Sequence, residues 1–195
     1  ITFDIPSDGV PTIFVTEFSG DPYPFREGLP AFRTPITLDG TTQPGGWVEV
    51  SGPGVRGMRG EERAEGIRVG ASGGGSTIRG LVVNRFYGSP IHVFPGADGC
   101  TIEGNRIGTD ITGTQAMGTS LLFVFNSDNP ASPLGWFDNP TPNSFEPPTA
   151  GIRIGSSGNV VQNNVVAGNA NRHQFSDGRI LFEGGIDVLL DRGTH

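Results

Sequence analysis

Ser76-Thr77-Ile78-Arg79-Gly80-Leu81-Val82-Val83 is followed one period later by Cys100-Thr101-Ile102-Glu103-Gly104-Asn105-Arg106-Ile107. From Ile78 to Ile102 is 24 residues. Just upstream of each copy stands a second matched pair, Gly66-Ile67-Arg68-Val69 and Pro90-Ile91-His92-Val93, again 24 residues apart. A third, shorter copy runs from Gly151-Ile152-Arg153-Ile154 to Val160-Val161-Gln162-Asn163-Asn164-Val165-Val166. A fixed period of this size marks a solenoid, in which each repeat buries its apolar face only by stacking on the next.

Within a repeat the polarity alternates. Ile67 and Val69 flank Arg68, Ile91 and Val93 flank His92, and Ile152 and Ile154 flank Arg153, which is the period-two signature of a strand. Two or three such strands per turn, with Gly or Asn at corners needing positive φ, make a parallel β-helix, with identical positions stacked about 4.8 Å apart. The expected inward rows are Ile67/Ile91/Ile152/Ile186, Ile78/Ile102/Val161 and Val83/Ile107/Val166. Asn105 and Asn164 share a corner position where stacked amides can bond from turn to turn, and Leu81 interrupts that row. Outside, Arg79 is expected beside Glu103, a pair worth tenths of a kcal/mol when exposed.

Working outward, residues 1–65 carry strand-like runs between Pro/Gly turns without the beat, as a terminal cap and first turns would. Residues 66–125 are read as regular turns, and 126–150, dense in Pro, Asn, Ser and Asp, as a loop insertion. Residues 151–195 resume the pattern, with Gly185-Ile186-Asp187-Val188 opening another copy. The whole is one domain of 195 residues, and no segment reads as a helix.

Thirty-two Gly and sixteen Pro read as turn punctuation, because the 34% of hydrophobic residues recur periodically. A net charge of −7 without a single lysine argues against nucleic acid as a partner. No transmembrane run or signal peptide is visible, and a chain beginning at Ile1 reads as a mature product or an excised fragment. The lone Cys100 cannot form an intrachain disulfide and is read as a small strand or turn residue.

Chemistry-bearing residues are few. The outward row Arg68, His92, Arg153 and Asp187 stacks on one face, where an arginine and an imidazole can serve acid–base work or bind a carboxylate. A solvated sheet face carrying polar residues is the simpler reading, and the insertion leaves open whether Arg153 neighbours His92. Asp98, Glu103 and Asp110 are the oxygen donors from which a Ca²⁺ site would be drawn, but no alternating acidic loop is present, and no metal or other cofactor is assigned. His173 reads as a loop residue. Trp136 and Phe137, led in by Phe123 and Phe125, offer an aromatic contact for a sugar ring or another protein, or a local plug on the domain's flank.

The two runs from Ser76 to Phe86 and from Cys100 to Thr114, with the entry Ile36-Thr37-Leu38-Asp39-Gly40-Thr41-Thr42-Gln43-Pro44-Gly45, resemble the bacterial right-handed parallel β-helix repeat proteins of the pectate-lyase-like superfold. The resemblance implies a right-handed parallel β-helix and an extracellular or cell-surface setting. Family members are mostly large exported proteins, while the wider superfold includes polysaccharide lyases, hydrolases and epimerases. The reading that follows is a structural or adhesive module without catalysis, associating end to end into filaments or forming part of a longer surface protein. The alternatives are a carbohydrate-active enzyme working through Arg68, His92 and Arg153, or a glycan-binding module using Trp136 and Phe137.

Overall fold

A three-residue strand with apolar ends presents two side chains to one side and one to the other. That pattern governs the computed structural model, which describes residues 1–15, 29–52, 65–86, 88–117, 122–124, 150–169, 171–174, 180–183 and 186–188. In chain order the strands are β1 (Thr12–Phe14), β2 (Thr37–Asp39), β3 (Val48–Ser51), β4 (Ile67–Val69), β5 (Thr77–Arg79), β6 (Leu81–Asn84), β7 (Ile91–Val93) and β8 (Thr101–Glu103). They continue as β9 (Arg106–Ile107), β10 (Leu122–Val124), β11 (Ile152–Ile154), β12 (Val160–Gln162), β13 (Val165–Val166), β14 (Asn171–Gln174), β15 (Ile180–Glu183) and β16 (Ile186–Val188). Among the described residues the only helical turns are the 3₁₀ segments Gly40–Thr42 and Ala71–Gly73. The protein is all-β.

Three parallel sheets dominate. Sheet A runs β2-β5-β8-β12, sheet B runs β1-β3-β6-β9-β13, and sheet C runs β4-β7-β11-β16. From β2 onward these strands fall in repeating A, B, C order along the chain, so each pass visits the three sheets once. The register matches the sequence rows. Ile67 pairs with Ile91, Ile91 with Ile152 and Ile152 with Ile186. Leu38, Ile78, Ile102 and Val161 form a second row, and Val50, Val83, Ile107 and Val166 a third. Ile67, Ile78, Val83, Ile91, Ile102, Ile107 and Ile152 are completely enclosed. Burying each such side chain is worth about 1.5–3 kcal/mol, against tenths for an exposed ion pair, so these rows set the register and the outer rows follow it.

β2 and β3 extend sheets A and B, and an earlier pass lies against them: Thr2 bridges Asp39, β1 pairs with β3, and Phe32 bridges Val69. Its strands shrink to single-residue bridges in sheets A and C, which hides the beat.

The connections fall into two kinds. From β5 onward the chain turns from sheet A to sheet B within two residues, at Gly80, at Gly104-Asn105 and at Asn163-Asn164, whereas β2 reaches β3 across residues 40–47. Gly80, Gly104 and Asn163 all take the left-handed conformation there, with φ of 64°, 60° and 55°. From sheet B to sheet C the length is irregular: β6 reaches β7 across residues 85–90, but β9 reaches β11 only across 108–151.

Two expectations change. β10 pairs with β14, which pairs antiparallel with β15, in a separate small sheet. Residues 122–124 therefore leave the regular turns to which 66–125 were assigned. His173, expected in a loop, lies in β14 opposite Phe123 and Leu181, because the hairpin supplies a partner that the 24-residue beat does not reveal.

Candidate functional site

Parallel pairing in sheet C brings the outward row together. Arg68 stands opposite His92, His92 opposite Arg153, and Arg153 opposite Asp187. The long segment before β11 does not disturb this order, since Ile152 and Ile154 dock against Ile91 and Val93. Arg153 is therefore the neighbour of His92.

The four positions differ in what surrounds them. Arg68 donates from Nε and Nη2 to the carbonyl of Leu29, at 3.2 and 2.9 Å. Its guanidinium fastens the first pass to the sheet, alongside the Phe32 N–H to Arg68 carbonyl bond. His92 is 7% exposed, stacks on Phe94 with ring centroids 4.0 Å apart, and has Nδ1 2.7 Å from Glu65 Oε1. The Glu65 carboxyl fixes the ring's orientation. Arg153 is half-buried, and its Nε has no hydrogen-bond partner among the described residues. A carboxylate-held imidazole between two guanidinium groups has the parts for proton transfer at an anionic substrate. Its depth and the anchoring of Arg68 work against access.

On sheet A the outward positions Asp39, Arg79, Glu103 and Gln162 are in register and linked end to end. Arg79 Nη2 donates to Asp39 Oδ2 at 2.6 Å, Arg79 Nη1 lies 3.7 Å from Glu103 Oε1, and Gln162 Nε2 donates to Glu103 Oε2 at 2.8 Å. The expected Arg79–Glu103 pair is thus part of a longer column. The hydrogen bond from Arg79, aided by Thr41, outweighs burial and holds the Asp39 carboxyl at about 2.

On sheet B, Glu49 gathers three partners: Thr12 Oγ1 at 2.6 Å, Asn84 Nδ2 at 2.7 Å and Arg85 Nη1 at 3.2 Å. Burial raises its pKa, and these hydrogen bonds and the nearby guanidinium overcome that to leave it below the ordinary value. Arg106 packs its guanidinium 5.0 Å from the Trp47 ring centroid while bonding the Thr112 carbonyl.

The three acidic residues considered for Ca²⁺ go separate ways. Asp98 Oδ1 accepts from Ser157 N–H, Glu103 belongs to the sheet A column, and Asp110 folds onto its own turn. There Asp110 accepts first from the Gln115 N–H and also from Thr112 and Thr114, which lowers its pKa. Among the described residues no cluster of three His, Cys, Asp or Glu side chains has metal-holding geometry. Cys100 is buried, with its Sγ on the Ala97 carbonyl. Trp136, Phe137 and Phe125 lie outside the described residues.

The sequence rows located Arg68, His92 and Arg153 but missed Glu65, Leu29, Asp39 and Glu49. Glu65 and Leu29 come from segments without the repeat, so no spacing betrays them. Asp39 was recoverable, since aligning Leu38 with Ile78 puts Asp39 beside Arg79. No family model matches this chain, and no curated protein or solved structure matches it either.

Proposed function

We propose that the chain is a right-handed parallel β-helix serving as a structural or adhesive module, extracellular or at a cell surface, rather than as an enzyme. The observation that supports this most is the state of the outward polar rows. Arg68 is anchored to a backbone carbonyl, His92 is buried on Glu65, and Asp39, Arg79, Glu103 and Gln162 bond one another. Those groups hold adjacent passes together, and a group so held is poorly placed to bind substrate. Among the described residues no helix is long and apolar enough to cross a membrane.

The reading is tested by incubating the protein with pectin, alginate and neutral glycans while monitoring unsaturated products and reducing ends. No turnover is expected, and His92→Ala is expected to lower thermal stability. Turnover abolished by His92→Ala or Arg153→Ala would establish the carbohydrate-active alternative, which the Glu65–His92 contact between two arginines favours. Glycan binding through Trp136 and Phe137 is a third reading, checked by binding assays on Trp136→Ala.

A further inference from the structure

The passes are joined with a direction. At the junctions between passes, a side chain of the later pass accepts a hydrogen bond from a backbone N–H of the earlier one. Phe3 N–H donates to Thr42 Oγ1 at 2.8 Å, Ile5 to Gln43 Oε1 at 2.9 Å and Ile36 to Ser76 Oγ at 3.0 Å. Leu81 donates to Asn105 Oδ1 at 3.1 Å, and Cys100 and Asn105 donate to Asn159 Oδ1 and Asn164 Oδ1, each at 2.9 Å. Among the described residues one such contact runs the other way, from Ser157 N–H to Asp98.

Among the described residues the series stops at β12 and β13. The N–H groups of Asn159 and Asn164 have no acceptor among the described residues, whereas Cys100 and Asn105 at the same positions do; the enclosed Ser76, at the first of these positions, also has none. Val160 N–H points back to the Cys100 carbonyl, so alternation leaves the Val161 peptide facing outward. Val160 and Val165 are 46% and 37% exposed, and Val161 and Val166 are only half-buried where Ile102 and Ile107 are enclosed. From Ile154 through Asn171 the sequence has no charge and no proline, the devices that ordinarily blunt an exposed strand edge. The opposite end differs: Pro11 precedes β1, and Pro30 and Pro35 flank Phe32.

Building on the β-helix reading, we infer that the open edge of β12 and β13 is an acceptor site for a parallel, uncharged peptide segment. That segment carries Asn or Ser side chains five residues apart and aliphatic side chains two residues after each. This is the pattern of Ser76/Ile78, of Asn159/Val161 with Asn164/Val166, and of Asn105/Ile107. The carboxamides cap the Asn159 and Asn164 N–H groups, and the aliphatics close over Val161 and Val166. Continuity with the β2-β5-β8-β12 ladder fixes the direction of the strand, and the neutrality of the edge selects a neutral partner.

The probe is a fluorescein-labelled, N-acetylated peptide of the chain's own residues 155–168, titrated by anisotropy against the full 195-residue chain. Saturable binding is expected, weakened at least tenfold when both carboxamides, at the positions of Asn159 and Asn164, are changed to Ala in the peptide. In the protein, Val161→Pro removes an outward donor without removing a bond to β8 and is expected to abolish binding. Val160→Lys with Val165→Lys tests the same edge should the proline variant fail to fold. Absence of saturation up to about 1 mM peptide, or equal binding of the Ala-substituted peptide, overturns the proposal. So does a dimer or filament seen in sedimentation that occupies this edge and excludes the peptide. Failure of the noncatalytic reading registers instead as product released from polysaccharide, so the two can fail independently.

Discussion

The turn from sheet A to sheet B and the connection from sheet B to sheet C meet in every pass, yet they obey different rules. From β5 onward the first is short and repeats its chemistry, whereas β2 reaches β3 across residues 40–47. Asn105 holds the Leu81 N–H and the Ile78 carbonyl, and Asn164 holds the Asn105 N–H and the Ile102 carbonyl. One added residue would break the amide alignment and flip the following strand's side chains. The second has no such ladder. Between β6 and β7 the chain needs residues 85–90, with Arg85 left-handed at φ 58°, whereas between β9 and β11 it takes residues 108–151. From β5 onward, length is kept at the corner where Asn105 and Asn164 bond the neighbouring pass along both their N–H and carbonyl partners, and it varies in the connection that lacks this ladder.

The harshest way to break this contrast is to remove the amide itself. Asn105→Leu strands the buried Leu81 N–H and removes one donor each from the Ile78 carbonyl and Asn164 Oδ1, and a loss of about 2–3 kcal/mol is expected in urea unfolding. A cost below about 1 kcal/mol would show that the corner is held by shape alone.

The left-handed residues in the same row sharpen the point. A Cβ on Gly80 would lie 2.7 Å from the Thr41 nitrogen at φ +64°, so Gly80→Ala is expected to cost more than about 2 kcal/mol. Gly104 has the same conformation with nothing within 4 Å. Gly104→Asn, which copies Asn163, is therefore expected to cost less than about 1 kcal/mol. Thermal melts of the two variants measure the gap.

A smaller effect tests the outer column of sheet A. With a folded pKa of about 2, below its usual 3.8, Asp39 stabilises the protein above pH 3.8 and loses that contribution as pH falls toward 2. Because Arg79 is 43% exposed, solvent screening reduces the effect to on the order of 1 kcal/mol. The stability difference between the native chain and Asp39→Asn should vanish over that interval in acid titration. A difference that persists at pH 2 would mean the contact is steric.

The least effect is expected in the variable connection. Replacing residues 126–148 with a Gly/Ser segment of equal length should shift the melting temperature by no more than a few degrees. A large drop would show that this segment supports the sheets, and would remove half of the contrast.

The same contrast explains what the residues disclosed. Ile67, Ile78, Ile91 and Ile102 announced the fold because aliphatic burial repeats with the chain's period. Asn105 and Asn164 were legible for the same reason. Leu29 on Arg68, Glu65 on His92 and Asn84 with Arg85 on Glu49 were not, because at least one partner in each comes from a stretch where length varies. Thr2 and Phe32 were hidden differently, since a one-residue bridge leaves no alternation to detect. The candidate site draws on both kinds of segment, so half of it was visible.

The direction of the corner bonds has a consequence for biosynthesis. Because a later asparagine or serine completes the peptide groups of the residues made before it, the growing tip of a nascent chain presents unmet donors to whatever emerges next. A chain folding from its N-terminal side would therefore gain a lock on each rung as the next one forms.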